Sequence, residues 1–205
     1  MLKRIRTAVL VSGGGTNLQA IIDAAESGRI RHAELALVAA SNPDAYALVR
    51  AERAGIPTAV VSRKSYSEPA AFERALLAVL EEHGIELIVL AGFMTILSAD
   101  FIRRYDNRII NVHPSLIPSF CGKGFYGLRV HEAALSYGVK VTGATVHFVN
   151  EIPDGGAIIA QKSVAIRKND TPETLQRRVM ERAEWKLLPR ALELVSIELA
   201  KSKQK

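Results

Sequence analysis

At 205 residues, with 48% hydrophobic and 23% charged side chains, the chain can bury one substantial core and is too ordinary in composition for a disordered or fibrous protein. The net charge of +6 raises the question of nucleic acid, but Lys201, Lys203 and Lys205 supply three of those charges and no basic block is interleaved with aromatics. A single cysteine, Cys121, excludes an internal disulfide and a multi-cysteine metal site, and fits a reducing compartment.

The first apolar run, Ala8 to Val11, ends at Ser12, too short for a signal peptide. Leu87 to Leu97, the longest, is too short to cross a membrane. The expectation is a soluble cytoplasmic protein, one domain over 1–205, with no membrane and no nucleic-acid partner. Residues 200–205 are expected to be a disordered basic tail.

In chain order, Ala8 to Val11 predicts a buried strand and Asn17 to Glu26 a helix. A strand over Ala33 to Ala40 and a helix over Asp44 to Ala54 follow, then a strand over Thr58 to Val61 and a helix over Pro69 to His83. Leu87 to Ala91 and Arg108 to Val112 predict two more strands, with a short helix, Ala99 to Tyr105, between them. Apolar strands alternating with helices indicate a mostly parallel twisted sheet covered on both faces, an α/β Rossmann-like class. After Pro114 comes a Gly- and Pro-rich loop, Ser115 to Gly127, and then a helix over Leu128 to Tyr137. Val141 to Val149 and Ala157 to Ile166 predict two strands with no helix between them. A long helical segment over Thr171 to Leu199 is capped by Asp170 or Thr171, with Pro172 just inside and a kink or break at Pro189.

Three features carry chemistry. Ser12-Gly13-Gly14-Gly15-Thr16-Asn17 lies between strand and helix, where free N–H groups attract phosphate. The glycine spacing fits neither G-x-G-x-x-G nor a P-loop, which favours a monophosphate cradle; a plain turn with Thr16 or Asn17 as helix cap is the alternative. Asn111 and His113, two apart at a strand's carboxyl end, project to one face, where ligands bind in open parallel sheets. An amide and an imidazole there suit a carbonyl oxygen that gains charge under nucleophilic attack. Asp154-Gly155-Gly156 is a turn whose aspartate could orient a histidine. His147 is as readily structural as catalytic. His131 suggests a surface or capping position, and His83 and His32 solvated ones.

Five segments now stand in order: "SGGGTNLQAI" from Ser12, "LAGFMTILS" from Leu90, "NVHPSLIPSF" from Asn111, "TVHFV" from Thr145 and "DGGA" from Asp154. Together, over about Arg6 to Leu194, they resemble the folate-dependent phosphoribosylglycinamide formyltransferase family of purine biosynthesis. The resemblance implies formyl transfer from 10-formyltetrahydrofolate, without a metal, to the amine of 5'-phosphoribosylglycinamide. It implies a catalytic trio of Asn111, His113 and Asp154, with His113 kept protonated by Asp154. It puts Gly15, Thr16 and Asn17 on the substrate phosphate and Glu184 on the ribose, although the spacing from Val179 is about one residue longer than the family pattern. Met94, Thr95, Ile96, Leu97, Asn111, Asn150, Glu151 and Asp154 would hold the folate, largely by backbone. Residues 6–105 would form a phosphate-binding half and 106–199 a catalytic and folate-binding half, in a monomer or weak homodimer.

The chain also departs from the family. Thr95 replaces a frequent Arg, and the loop "FCGKGFYGLR", Phe120 to Arg129, is longer than usual, with Arg129 where a histidine often stands. Pro69 lies near a missing arginine. The "SLIP" turn implies a cis bond before Pro118. Alternatives are a hydrolase of the same folate, a formyltransferase acting on another amine (a transfer-RNA-linked one would be expected to carry a further RNA-binding domain) and a non-catalytic nucleotide-binding regulator.

Overall fold

The computed structural model describes residues 2–204, so the part of the tail expectation that concerns Lys205 lies outside the described residues. Seven strands form one sheet: β1 (Ile5–Val11), β2 (Ala33–Ala40), β3 (Thr58–Val60), β4 (Leu87–Leu90), β5 (Ile109–His113), β6 (Val141–Phe148) and β7 (Ile158–Ala165). Their order is β3-β2-β1-β4-β5-β6-β7. The first five are parallel, and β6 and β7 add antiparallel at one side. The helices are α1 (Thr16–Glu26), α2 (Tyr46–Arg53), α3 (Pro69–Glu82), α4 (Ala99–Arg104), α5 (Leu128–Tyr137), α6 (Pro172–Val179) and α7 (Trp185–Ser202).

Strand periodicity divides the core in two. Val9, Val11, Leu87 and Val89 face α1 and α7 through Leu18, Ile21, Leu187 and Leu188. Their neighbours Ala8, Leu10, Ile88 and Leu90 face Phe72, Leu76 and Leu80 of α3 and Phe101 of α4. Strands apolar on both faces are what a two-sided parallel sheet requires. β1 lies between β2 and β4, so the chain reverses its direction of winding there and opens a crevice at the carboxyl ends of the strands.

The carboxyl-terminal segment departs from expectation. Thr171 caps α6 in a reciprocal pair with Thr174, as the sequence indicates. Pro189, however, lies inside α7, and the irregularity sits earlier, in a π turn over Met180–Glu184. The wider i→i+5 turn accommodates an additional residue without breaking the helix, and such turns gather at functional sites. The tail is not frayed where it is described: α7 runs to Ser202, and Lys203 pairs with Glu86. The Ile117–Pro118 bond is cis.

Candidate active site

The carboxyl ends of β1, β4 and β5 converge on one crevice. From β1 the chain enters the glycine loop. Neither Thr16 nor Asn17 caps α1, in contrast to the alternative raised from sequence. The N-cap is Gly15, at φ 72°, with no side-chain cap bond. A Cβ at Gly15 would come 2.6 Å from Cβ of Ala47, so both the left-handed backbone and the close approach of α2 demand glycine. Asn17 turns its Nδ2 to donate to Glu184 Oε2 at 2.7 Å, tying the start of α1 to the π turn. Glu184 is only 6% exposed, and that burial pushes its carboxyl above the usual range while the Asn17 bond opposes the rise.

The segment after β4 carries Met94, Thr95, Ile96 and Leu97. The Met94 N–H donates to Ser12 Oγ at 3.0 Å, so it is committed to the end of β1 and not offered to a ligand. Thr95, Ile96 and Leu97 line a cavity of about 140 Å³ together with Asn111, Asn150, Glu151 and Asp154. Leu90, Ile102 and Val149 add apolar wall. The side chains of Met94, Ile96 and Ile152 are exposed near its mouth. Asn150 Oδ1 accepts the Ile152 N–H at 3.0 Å, which shapes this loop, and Glu151 pairs with Arg103 of α4 at 3.3 Å.

Asn111 and His113 stand opposite His147 and Thr145 across the β5–β6 ladder. Asp154 adopts φ 56°, a left-handed conformation that aspartate tolerates, and the next turn brings Gly156 against the Phe148 carbonyl with no room for a Cβ. This places the Asp154 carboxylate 3.4 Å from His113 Nδ1 and 3.6 Å from His147 Nε2. The structure therefore brings Asn111, His113 and Asp154 together.

It also adds His147, whose role the sequence left open, and backbone groups that the sequence did not single out. His147, 2% exposed, has Nδ1 2.8 Å from the Phe148 carbonyl, so Nδ1 carries the hydrogen and Nε2 accepts from Asn111 Nδ2 at 3.2 Å. His147 thus sets the orientation of the Asn111 amide. From the long loop, Gly122 N–H donates to Asp154 Oδ2 at 2.8 Å, and the Phe120 carbonyl lies 2.9 Å from His113 Nε2. A signal for His147 was present in its phase with Thr145 and Val149. The loop contacts involve only backbone and left none.

Three expectations about histidines are corrected. Burial is the largest influence on His113 and holds its imidazole below the ordinary value, although Asp154 and the Phe120 carbonyl pull it upward. Burial thus favours the neutral ring of His113 in the free protein. Because a carbonyl can only accept, Nε2 holds the hydrogen and the lone pair sits on Nδ1, facing Asp154. Burial also pushes Asp154 upward, but His147 and His113 in their protonated forms and the Gly122 N–H together outweigh it and keep the carboxyl below its usual range. His131, expected at the surface, is fully buried between Val130 and Ala134 of α5 and pushed down to about 4 by burial and by His113. His32 is likewise half-buried and bonded to Glu193 rather than freely solvated. Arg129 stacks over Tyr126 at 4.9 Å. Among the described residues, no three His, Cys, Asp or Glu side chains are grouped to hold a metal, and no helix is long and apolar enough to cross a membrane.

Comparison with known proteins gives this geometry a context. Residues 5–192 match the formyl transferase family. The phosphoribosylglycinamide formyltransferase of Haemophilus influenzae is 44% identical over 184 residues, covering 90% of this chain and 84% of that protein. The trifunctional purine biosynthetic protein adenosine-3 of Gallus gallus is 47% identical over 193 residues, 94% of this chain, which spans only 18% of that protein's length. Among solved structures, glycinamide ribonucleotide transformylase 1 from Symbiobacterium toebii superposes with a TM-score of 0.89 at 41% identity, covering 95% of this chain and 89% of that one. With the match running from β1 into α7, and a bacterial relative covered over most of its length, the chain belongs to the formyl transferase family.

Proposed function

We propose that this protein transfers the formyl group of 10-formyltetrahydrofolate to the amine of 5'-phosphoribosylglycinamide, giving formylglycinamide ribonucleotide and tetrahydrofolate in purine synthesis. The observation that carries this reading is the convergence of Asn111, His113 and Asp154 beside a partly apolar cavity at the carboxyl ends of β4 and β5. The name of the Haemophilus influenzae relative, phosphoribosylglycinamide formyltransferase, supports formyl transfer to that acceptor. The protein acts in the cytoplasm as a monomer or weak homodimer.

The amine nitrogen attacks the formyl carbon and a C–N bond forms. The carbonyl oxygen becomes negative, and the free N–H of Asn111, whose amide His147 orients, donates to it. His113 begins neutral and takes the proton released by the attacking nitrogen, so the imidazolium forms as the oxyanion does. Asp154 stabilises that imidazolium, whose proton then passes to the departing folate nitrogen as the second C–N bond breaks. No metal is needed for this proton and charge balance.

Gly15, Thr16 and Asn17 are assigned to the substrate phosphate and Glu184 to the ribose. Glu184 is suited to that role because Asn17 engages only Oε2, leaving Oε1 to accept from a hydroxyl. The cavity suits a flat ring held by apolar wall and backbone, and Thr95, Ile96, Leu97, Asn150 and Glu151 are assigned to it, with Met94 contributing an exposed side chain and its carbonyl. The test is to mix the protein with 10-formyltetrahydrofolate, with and without glycinamide ribonucleotide, and follow tetrahydrofolate. Release only with the amine supports transfer. Equal release without it supports the hydrolase alternative.

A further inference from the structure

The glycine loop is held from behind by α2. Gly13 O accepts the Ala47 N–H at 3.1 Å, and Gly14 O accepts from Arg50 Nε at 2.9 Å. In a trans peptide the carbonyl and the next N–H point to opposite edges. Fixing these two carbonyls against α2 therefore turns the N–H groups of Gly14 and Gly15 away from it, toward the open end of α1. The N–H groups of Thr16 and Asn17 are among the four that a helix start leaves without intrahelical partners. None of these four donors has a protein acceptor among the described residues. Successive backbone N–H groups gathered in this way form an anion-binding nest.

We infer that Arg50 is a positioning residue for the substrate phosphate, a role that rests on the proposed function above: it locks the Gly14 carbonyl out of the nest and adds a fixed positive charge behind it. Its guanidinium is held on several sides. Beyond Gly14, Nη1 donates to Gln19 Oε1 at 3.0 Å, and Gln19 in turn donates to Asp23 at 2.8 Å. The Tyr46 ring lies 5.0 Å beneath the guanidinium carbon. A planar fork can serve Gly14, Gln19 and Tyr46 at once; the single ammonium of a lysine cannot. Without the Nε bond, the Gly14–Gly15 peptide is free to rotate and present its carbonyl oxygen to the phosphate.

The test compares the parent protein with Arg50→Met, which keeps the stem, and Arg50→Lys, which keeps the charge. Inorganic phosphate is titrated against each by calorimetry. Steady-state kinetics are run with glycinamide ribonucleotide and with its unphosphorylated riboside. Arg50→Met should weaken phosphate binding and raise the ribonucleotide KM by about tenfold or more, with kcat and the folate KM within twofold. Arg50→Lys should recover only part of this loss. Activity on the riboside should not change, because it has no phosphate to position; a merely structural defect would lower it too. Phosphate binding as tight in Arg50→Met as in the parent, or parallel losses on both substrates and the folate, would overturn the assignment. If the parent binds phosphate and Arg50→Met does not, the clamp stands even where formyl transfer fails. If transfer occurs and Arg50→Met leaves phosphate binding and the ribonucleotide KM unchanged, only the clamp falls.

Discussion

Replacing Asp154 with Asn removes a charge while leaving an oxygen to accept the Gly122 N–H. The structure gives the size of the effect. At the 3.4 Å separation of His113 Nδ1 and Asp154 Oδ2, a unit pair interacts by about 5 kcal/mol at an effective dielectric constant of 20. Solvent reaches the 15%-exposed Asp154 side chain, so the realised change is smaller than this figure, and its direction is a fall in the His113 pKa. Burial already holds His113 below its ordinary value, and Asp154→Asn leaves that push unopposed. A general base works when neutral, so activity rises with pH through the His113 titration. The variant should carry that acid limb to lower pH. It should also lose about 100-fold or more in kcat, because the imidazolium formed during attack has no counter-charge. The assay is kcat/KM from pH 5 to 9 for parent and variant. The His113→Ala, Asp154→Asn double variant should be little worse than the poorer single, since the two residues serve one step. An unmoved limb with additive losses would reduce Asp154 to a turn residue.

Gly15→Ala should destabilise by about 1–3 kcal/mol in urea unfolding, from its φ of 72° and the 2.6 Å approach of Ala47. Gly14→Ala, with open space around its Cβ, should change stability by less than about 0.5 kcal/mol; equal effects would refute the packing account. Because burial raises the Glu184 carboxyl, its protonated form favours folding at low pH, and that contribution is lost as pH rises through the raised value. Glu184→Gln should therefore raise Tm relative to the parent at pH 8, with the gain shrinking toward pH 4, while weakening ribonucleotide binding. A pH-independent difference in Tm contradicts this. Asp170, held at about 2 chiefly by its hydrogen bonds to Arg178, supplies stability above pH 4 that fades as pH falls toward 2. Asp170→Asn should accordingly lower Tm at pH 7 and make the remaining acid dependence shallower; an unchanged acid profile would count against the pair. Thr95→Ala should alter the folate KM less than twofold, and a tenfold loss would make its hydroxyl a ligand.

What sequence conveyed here follows from the range of the interactions involved. Unbroken apolar runs in β1 and β4 specify strands buried on both faces, and a two-residue spacing puts Asn111 and His113 on one face whatever else the chain does. Charge state is different. His113 was expected to stay protonated because Asp154 stood near it, but whether a carboxylate outweighs burial depends on how much of the chain closes over the ring. His131, placed on a helix by its sequence context, was expected at a surface or capping position. Its burial arises where α5 packs among other elements. Phe120 and Gly122 act through backbone groups whose direction no side chain announces. Arg50 lies 36 residues from Gly14, and only the parallel pairing of β1 with β2 brings them together.

In the proposed reaction the formyl carbon moves from folate to an amine rather than to water. Carbon-13 placed in the formyl group of 10-formyltetrahydrofolate can be followed by NMR during a single turnover with glycinamide ribonucleotide. The label should appear in the formamide of the product at the rate tetrahydrofolate forms, and His113→Ala should suppress both together. Label recovered as free formate, at a rate indifferent to the ribonucleotide, would contradict this reaction.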